Sequence, residues 1–151
     1  MHVSVIGSGT ASEGTDTYRA ARAVGRELAE RGHTVVCGGL GGVMAAACRG
    51  AREAGGKTVG ILPGSDPRAA NQHVTTPVAT GMGNARNVLV VLNGRGVVAV
   101  GGATGTLSEL GHALDFGRPV AGLDTHDLSS FDGFEACGDP EEAVESVLRR
   151  V

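Results

Sequence analysis

The stretch from Val100 to Leu114 constrains the fold more than any other part of this 151-residue chain. It places an apolar run directly before three glycines, Gly101, Gly102 and Gly105, and a helical pattern follows. Glycine allows backbone conformations that other residues rarely adopt. The amides at the start of a helix are free to bind an anion. A strand that turns through glycines into a helix is therefore typical of a phosphate-binding site.

The same stretch also has a purely structural interpretation. Thr106 and Glu109 have the Thr-x-x-Glu spacing of a capping box, in which each side chain accepts a hydrogen bond from the other residue's amide. On that interpretation Glu109 only starts a helix, and the glycines only permit close packing in a scaffold without a ligand. An ordinary strand-to-helix turn needs one flexible residue, so three glycines favour the phosphate site.

Strands and helices alternate along the whole chain. The predicted strands are residues 2 to 7, Thr34 to Cys37, Lys57 to Leu62, Gly96 to Val100 and Pro119 to Leu123. The predicted helices are Thr15 to Arg31, Val43 to Ala54, Asn84 to Asn93, one that ends at Phe116 and one that starts at Asp139-Pro140. The segment from Ser65 to Thr80 reads as irregular, with a short strand near Val74. This order predicts an α/β fold, a single Rossmann-like domain over residues 1–151 with a doubly wound parallel sheet and helices on both faces.

Glycine-rich loops follow the first, second and fourth predicted strands. In doubly wound sheets, ligands bind at the carboxyl ends of the strands, near the point where the strand order reverses. We therefore expect the three loops to meet in one crevice. The candidate ligand-binding residues in them are Gly7, Ser8, Gly38, Gly39, Gly41, Gly42, Gly101, Gly102, Thr104, Gly105 and Thr106.

Two nucleotide-binding motifs are nearly matched and fail. Ser12 stands where a dinucleotide fingerprint has its third glycine, and the second strand ends in Cys37-Gly38 without a ribose-binding carboxylate. Gly56-Lys57-Thr58 resembles the end of a P-loop, but it precedes a strand and the first glycine of the motif is missing. A standard nicotinamide-cofactor enzyme and a P-loop protein are both disfavoured.

Charge and composition limit the partners. The net charge of −3 gives no basic stripe for nucleic acid, and no stretch reaches transmembrane length. The three cysteines are far apart, and the five histidines have no metal-ligand spacing. We expect a cytoplasmic protein with a small ligand, no nucleic-acid or membrane partner and no metal site.

His112 and Cys37 are weaker candidates for residues that line the crevice. His112 lies three residues after Glu109 on the same helix face, and Cys37 adjoins the second glycine loop. For His112 the simpler interpretation is a partly exposed helix residue. For Cys37 it is a small buried residue.

Three segments together resemble the lonely guy superfamily, whose members were once mislabelled lysine decarboxylases. They are Cys37 to Met44, Gly81 to Asn87 and Gly101 to Glu109, so the resemblance spans nearly the whole chain. The superfamily includes phosphoribohydrolases that activate cytokinins by releasing a base from a nucleoside 5′-monophosphate. It also includes molybdenum cofactor carrier proteins, which hold a pterin ending in a phosphate.

Departures from the hydrolase motifs make the chain more similar to the carrier-type subgroup. The hydrolases have Pro-Gly-Gly-x-Gly-Thr-x-x-Glu, and here Gly101 and Ala103 replace the proline and the second glycine. Their second motif places Arg-Lys after a methionine and two residues. Here three residues separate Met82 from Arg86, and Asn87 replaces the lysine. The resemblance therefore adds Met82 and Asn87 to the ligand-binding candidates.

The resemblance implies two functions. The first is a carrier that binds a phosphate-terminated ligand, either a nucleotide or the molybdenum cofactor as cargo, and requires no cofactor of its own. The alternative is a phosphoribohydrolase with Glu109 and Arg86 as catalytic residues. A carboxylate at Glu109 would stabilise positive charge on the ribose, and Arg86 would grip ribose hydroxyls or phosphate.

Arg86 and the helix from Val43 carry two further expectations. A surface arginine in the first turn of a helix is electrostatically unfavourable, which favours a functional role for Arg86. The superfamily also implies a homo-oligomer, a dimer or a tetramer, and the small-residue helix over residues 43–54 could pack against a partner.

Overall fold

A seven-stranded parallel sheet organises the chain. The computed structural model describes residues 1–151. The strands are β1 (His2–Gly7), β2 (Thr34–Cys37), β3 (Thr58–Leu62), β4 (Thr76–Ala79), β5 (Val97–Val100), β6 (Val120–Leu123) and β7 (Phe134–Ala136). The helices are α1 (Asp16–Glu30), α2 (Val43–Glu53), α3 (Asn87–Asn93), α4 (Thr104–Asp115) and α5 (Pro140–Arg149), with 3-10 turns at Pro67–Ala69 and Gly83–Arg86.

The strand order β4-β3-β2-β1-β5-β6-β7 places the reversal between β1 and β5. From β1 the chain moves outward to β4, then returns to lay β5 on the other side of β1 and moves outward again. Every neighbouring pair is parallel; Val5 pairs with Val98, for example. The α/β, doubly wound Rossmann-like fold predicted from the sequence is confirmed.

Two hydrophobic clusters cover the two faces of the sheet. Side chains of β1 alternate between them, with Val3 and Val5 in the larger cluster and Ile6 in the smaller. The larger cluster is closed by α1, α2 and α5, and the smaller by α3 and α4. This period of two is what a strand buried on both faces requires.

Two parts of the sheet differ from the sequence prediction. A strand lies at Thr76–Ala79 rather than near Val74, and β7 at Phe134–Ala136 was not predicted. All four residues of β4 are exposed and Pro77 lies among them, so no apolar alternation marks this strand. β7 has only three residues and forms the opposite edge of the sheet.

The small-residue helix α2 packs on α1 within the chain. A Cβ at Gly50 would lie 1.9 Å from the Arg22 carbonyl oxygen, and one at Gly25 would lie 1.9 Å from that of Ala47. The two backbones therefore meet where side chains are absent.

No helix combines the length and apolar character needed to cross a membrane.

Candidate functional site

A cavity of about 340 Å³ opens at the carboxyl ends of β1 and β5, where the strand order reverses. The loop after β1 forms one wall and the start of α4 forms another. Arg86 and Glu109 are the only charged residues that line it. The lining residues are Val5, Ile6, Gly7, Ser8, Gly9, Thr10, Gly38, Met44, Arg86, Asn87, Gly102, Ala103, Gly105, Thr106 and Glu109.

Helix α4 starts at this cavity without a cap. The helix begins at Thr104 after Ala103, and no side chain bonds to its first amides. The amides of Gly102 and Ala103 also donate to no backbone acceptor. These N–H groups and the positive end of the helix dipole are the groups that an anion would find favourable.

The capping-box interpretation of Thr106 and Glu109 is wrong. Because α4 begins at Thr104, Thr106 already lies inside the helix, and its side chain is buried. Gly102 has a φ of +108°, and a Cβ there would lie 2.2 Å from the Thr106 hydroxyl oxygen. Only glycine fits at this bend, so the turn brings the backbone amides, and not a capping side chain, to the cavity.

Arg86 lies in the 3-10 turn before α3 and is buried, with 6% of its surface exposed. Its Nε donates to the Ile61 carbonyl at 2.8 Å and its Nη2 to the Gly38 carbonyl at 3.2 Å, while Nη1 donates to the Asn87 side chain. Of the five N–H donors of a guanidinium, two remain for a ligand. Burial lowers the pKa of Arg86 and the charge of Glu109 acts in the opposite direction.

Glu109 faces the cavity from the second turn of α4 with 8% of its surface exposed. Burial raises the pKa of Glu109 to about 7, although the positive charge of Arg86 lowers it. Arg86 acts on this carboxyl as a nearby charge and not as a hydrogen-bond donor. Glu109 can therefore accept a hydrogen bond when ionised or donate one when protonated.

The second glycine loop shapes the cavity at Gly38. A Cβ at Gly38 would lie 2.7 Å from both Nη2 of Arg86 and the Met44 sulfur. The missing side chain leaves room for the guanidinium, and the Gly38 carbonyl holds it in place. The loop therefore acts at the site through Arg86.

The model of the SLOG cluster4 family matches residues 1–145. The chain belongs to the SLOG cluster4 family. An uncharacterized protein of Archaeoglobus fulgidus is 42% identical over 144 residues, covering 95% of this chain and 92% of that protein.

Two solved structures are similar over nearly the whole chain. One is the molybdenum cofactor binding protein of Rippkaea orientalis, with a TM-score of 0.90 and 33% identity over 99% of this chain and 96% of that one. The other is the molybdenum cofactor carrier protein of Chlamydomonas reinhardtii, with a TM-score of 0.90 and 32% identity over 98% of this chain and 96% of that one. The resemblance to the lonely guy superfamily, and to its carrier-type subgroup, is confirmed.

Within this SLOG cluster4 fold, the predicted site residues divide into two groups. Those that line the cavity are Gly7, Ser8, Gly38, Arg86, Asn87, Gly102, Gly105, Thr106 and Glu109. Those that do not are Gly39, Gly41, Gly42, Met82, Gly101 and Thr104. Met82 is 48% exposed outside the cavity. Gly42 lies against the backbone of Ser8 and Gly9, so it supports the wall of the cavity from behind.

Thr10 and Met44 line the cavity and were not predicted. Thr10 lies just beyond the Gly7-x-Gly9 pattern, and the Thr10 and Ser8 hydroxyls are 3.3 Å apart. Met44 was part of the motif that carried the family resemblance, but its position one residue into α2 gave no sign that it reaches the cavity.

His112 and Cys37 do not line the cavity. His112 is exposed and stacks on Phe116 with 6.1 Å between ring centroids. Cys37 is fully buried, and its sulfur lies 3.4 Å from that of Cys48. The simpler interpretation of each residue agrees with these positions.

Proposed function

We propose that this protein is a carrier that holds the molybdenum cofactor, with the terminal phosphate of the ligand at the start of α4. The observation that carries the proposal is the uncapped start of α4 on a 340 Å³ cavity. That volume is within the range of small-ligand sites, about 300–1,000 Å³. The molybdenum cofactor proteins of Rippkaea orientalis and Chlamydomonas reinhardtii, by their names, support the choice of cargo.

The cavity offers complementary chemistry to such a ligand. Free amides and the Ser8 and Thr10 hydroxyls suit the oxygens of a phosphate. The remaining donors of Arg86 and the carboxyl of Glu109 can pair with polar groups elsewhere on the ligand. A nucleoside 5′-monophosphate shares the phosphate end and is the second ligand class that this chemistry fits.

Gly105 provides a sharp test of where the phosphate binds. It lines the cavity, and a Cβ there meets no atom within 4 Å. Gly105→Asp places a carboxylate at the start of α4, where it favours the helix but repels a phosphate. We expect at least about tenfold weaker binding of molybdopterin, a difference of about 1.4 kcal/mol, with little change for its dephosphorylated form.

Gly105→Asn is the matched control, since it has the same shape without the charge. Isothermal titration calorimetry measures both affinities, and thermal melting checks that the variants fold. If Gly105→Asp binds molybdopterin as tightly as the wild type, the phosphate does not bind at α4. If the wild type binds neither molybdopterin nor AMP, the carrier proposal fails.

The hydrolase remains a second candidate because Glu109 and Arg86 line the same cavity. Cleavage of an N-glycosidic bond builds positive charge on the ribose, which an ionised Glu109 would stabilise. Incubation with AMP, followed by chromatography for adenine and ribose 5-phosphate, tests this. Adenine release that Glu109→Gln abolishes would overturn a carrier-only function, and ligand binding without release supports the carrier.

A further inference from the structure

The loop after β6 forms two hydrogen bonds to the loop after β5, from outside the cavity. The Thr125 hydroxyl donates to the Gly101 carbonyl at 2.6 Å. The His126 ring nitrogen Nε2 lies 2.9 Å from the Ala103 carbonyl oxygen. A carbonyl can only accept, so Nε2 carries the proton in this contact. Neither Thr125 nor His126 lines the cavity.

These two contacts control where the amides of the loop point. In a trans peptide unit the C=O and N–H groups point in opposite directions. Holding the Gly101 carbonyl toward Thr125 therefore turns the Gly102 N–H away from it. The Ala103 carbonyl accepts the Leu107 N–H at 3.0 Å in the first turn of α4 and is held from a second side by His126, and both contacts turn the Thr104 N–H in the opposite direction.

The peptide unit between Gly101 and Gly102 needs such an external hydrogen bond because both of its residues are glycines. Gly101 and Gly102 have φ of +59° and +108°, and a peptide flip between two glycines has little steric cost. A flip would replace the Gly102 N–H at the cavity with a carbonyl oxygen, which repels a phosphate. The loop after β6 begins at Asp124, whose φ of +46° makes it the one non-glycine residue with a positive φ.

From this geometry we infer that Thr125 and His126 are positioning residues that fix the Gly102 and Thr104 amides, in the loop after β5, for an anionic group of the ligand. The inference rests on the proposed function, because it assigns the phosphate to that loop. It adds two residues, distant in sequence from every motif, that determine how strongly the site prefers a phosphorylated ligand.

The test compares Thr125→Val, which removes the hydroxyl but keeps the shape, with Thr125→Ser, which keeps the hydroxyl. The readout is the ratio of dissociation constants for dephosphorylated and phosphorylated probes, adenosine against AMP and dephosphorylated molybdopterin against molybdopterin. We expect Thr125→Val to reduce this ratio about tenfold, and Thr125→Ser to stay within about twofold of the wild type.

His126 is tested in the same way with His126→Ala and His126→Gln. His126→Ala removes the donor and should also reduce the ratio, whereas His126→Gln retains an N–H donor and should restore part of it. A purely structural role would lower the melting temperature, or weaken all probes equally, and leave the ratio unchanged. That result would overturn the inference.

These measurements distinguish failure of the proposed function from failure of the positioning roles of Thr125 and His126. If the wild type shows no preference for phosphorylated probes, the proposed function is wrong in assigning a phosphate to the start of α4. If the wild type shows the preference and Thr125→Val and His126→Ala retain it in full, only the positioning roles are wrong.

Discussion

The carboxyl group of Glu109 is buried beside the cavity and titrates differently in the folded and unfolded states. Burial raises the pKa of Glu109 from 4.5 to about 7, so the folded state keeps a proton that the unfolded chain has released between these pH values. Stability from the protonated form is fully present below about pH 4.5 and is lost as the pH rises through 7. The full loss is on the order of 3 kcal/mol.

Glu109→Gln removes this titration and should stabilise the fold more at high pH. We expect the gain in free energy of unfolding to be about 2 kcal/mol larger at pH 8 than at pH 5. Urea unfolding at the two pH values measures it. Glu145→Gln, on an exposed position of α5, is the control. An equal effect of Glu109→Gln at both pH values would mean that Glu109 ionises in the fold as easily as in water.

Individual site residues could be predicted from the sequence only where they belong to a motif. Arg86 and Glu109 could be found because each belongs to a pattern of neighbouring residues. The capping-box alternative failed because the cap position of α4 is Ala103, three residues before Thr106. Thr125 and His126 could not be found, since they contact residues 24 and 23 positions away and only the path of two loops brings them together.

Among the elements, the α1–α2 pair depends on the absence of side chains at its crossing. A Cβ at Gly50 would lie 1.9 Å from the Arg22 carbonyl oxygen, so Gly50→Ala must push the helices apart. We expect it to destabilise the protein by about 1–3 kcal/mol, the usual cost of overpacking, although alanine has the higher helix propensity.

Gly111→Ala is the matched control on α4, where a Cβ meets nothing within 4 Å. This variant should gain stability, by at most about 1 kcal/mol, through propensity alone. Chemical denaturation of both variants measures the two effects. Opposite signs are expected for the same substitution, and a gain from Gly50→Ala would show that the helices can separate at no cost.

Helices and strands could be predicted from the sequence wherever burial requires a regular spacing of apolar residues. The apolar strands β1, β2, β3, β5 and β6 and the five helices follow from apolar spacing and helix stop signals. The edges of the sheet lack that signal. β4 is exposed along its length and β7 has three residues, so their pairing comes from neighbours already in place.

For the whole molecule, the alternation of strands and helices was enough to predict where the site lies. Parallel strands joined by helical crossovers leave few topologies, and a sheet wound in both directions from β1 must have a reversal beside it. The glycine loops after β1 and β5 then meet at one edge. The orientation of each side chain in the cavity could not be predicted in this way, because it depends on tertiary packing and not on the order of strands and helices.

The same architecture predicts a gradient of stability across the sheet. β1 and β5 pair on both sides and their apolar residues are buried on both faces, whereas β4 and β7 each have one neighbour and little cover. Edge strands open by local fluctuations, and central strands exchange their amides only through larger unfolding events.

Hydrogen exchange measured by mass spectrometry should therefore show the slowest amides in β1 and β5 and the fastest strand amides in β4 and β7. Residues 102–104 should exchange quickly in the free protein, because the amides of Gly102 and Ala103 have no backbone acceptor, and slow down when molybdopterin binds. Protection of that loop with β4 and β7 unchanged would locate ligand binding at the strand reversal. Uniform protection of the sheet would instead reflect a general gain in stability.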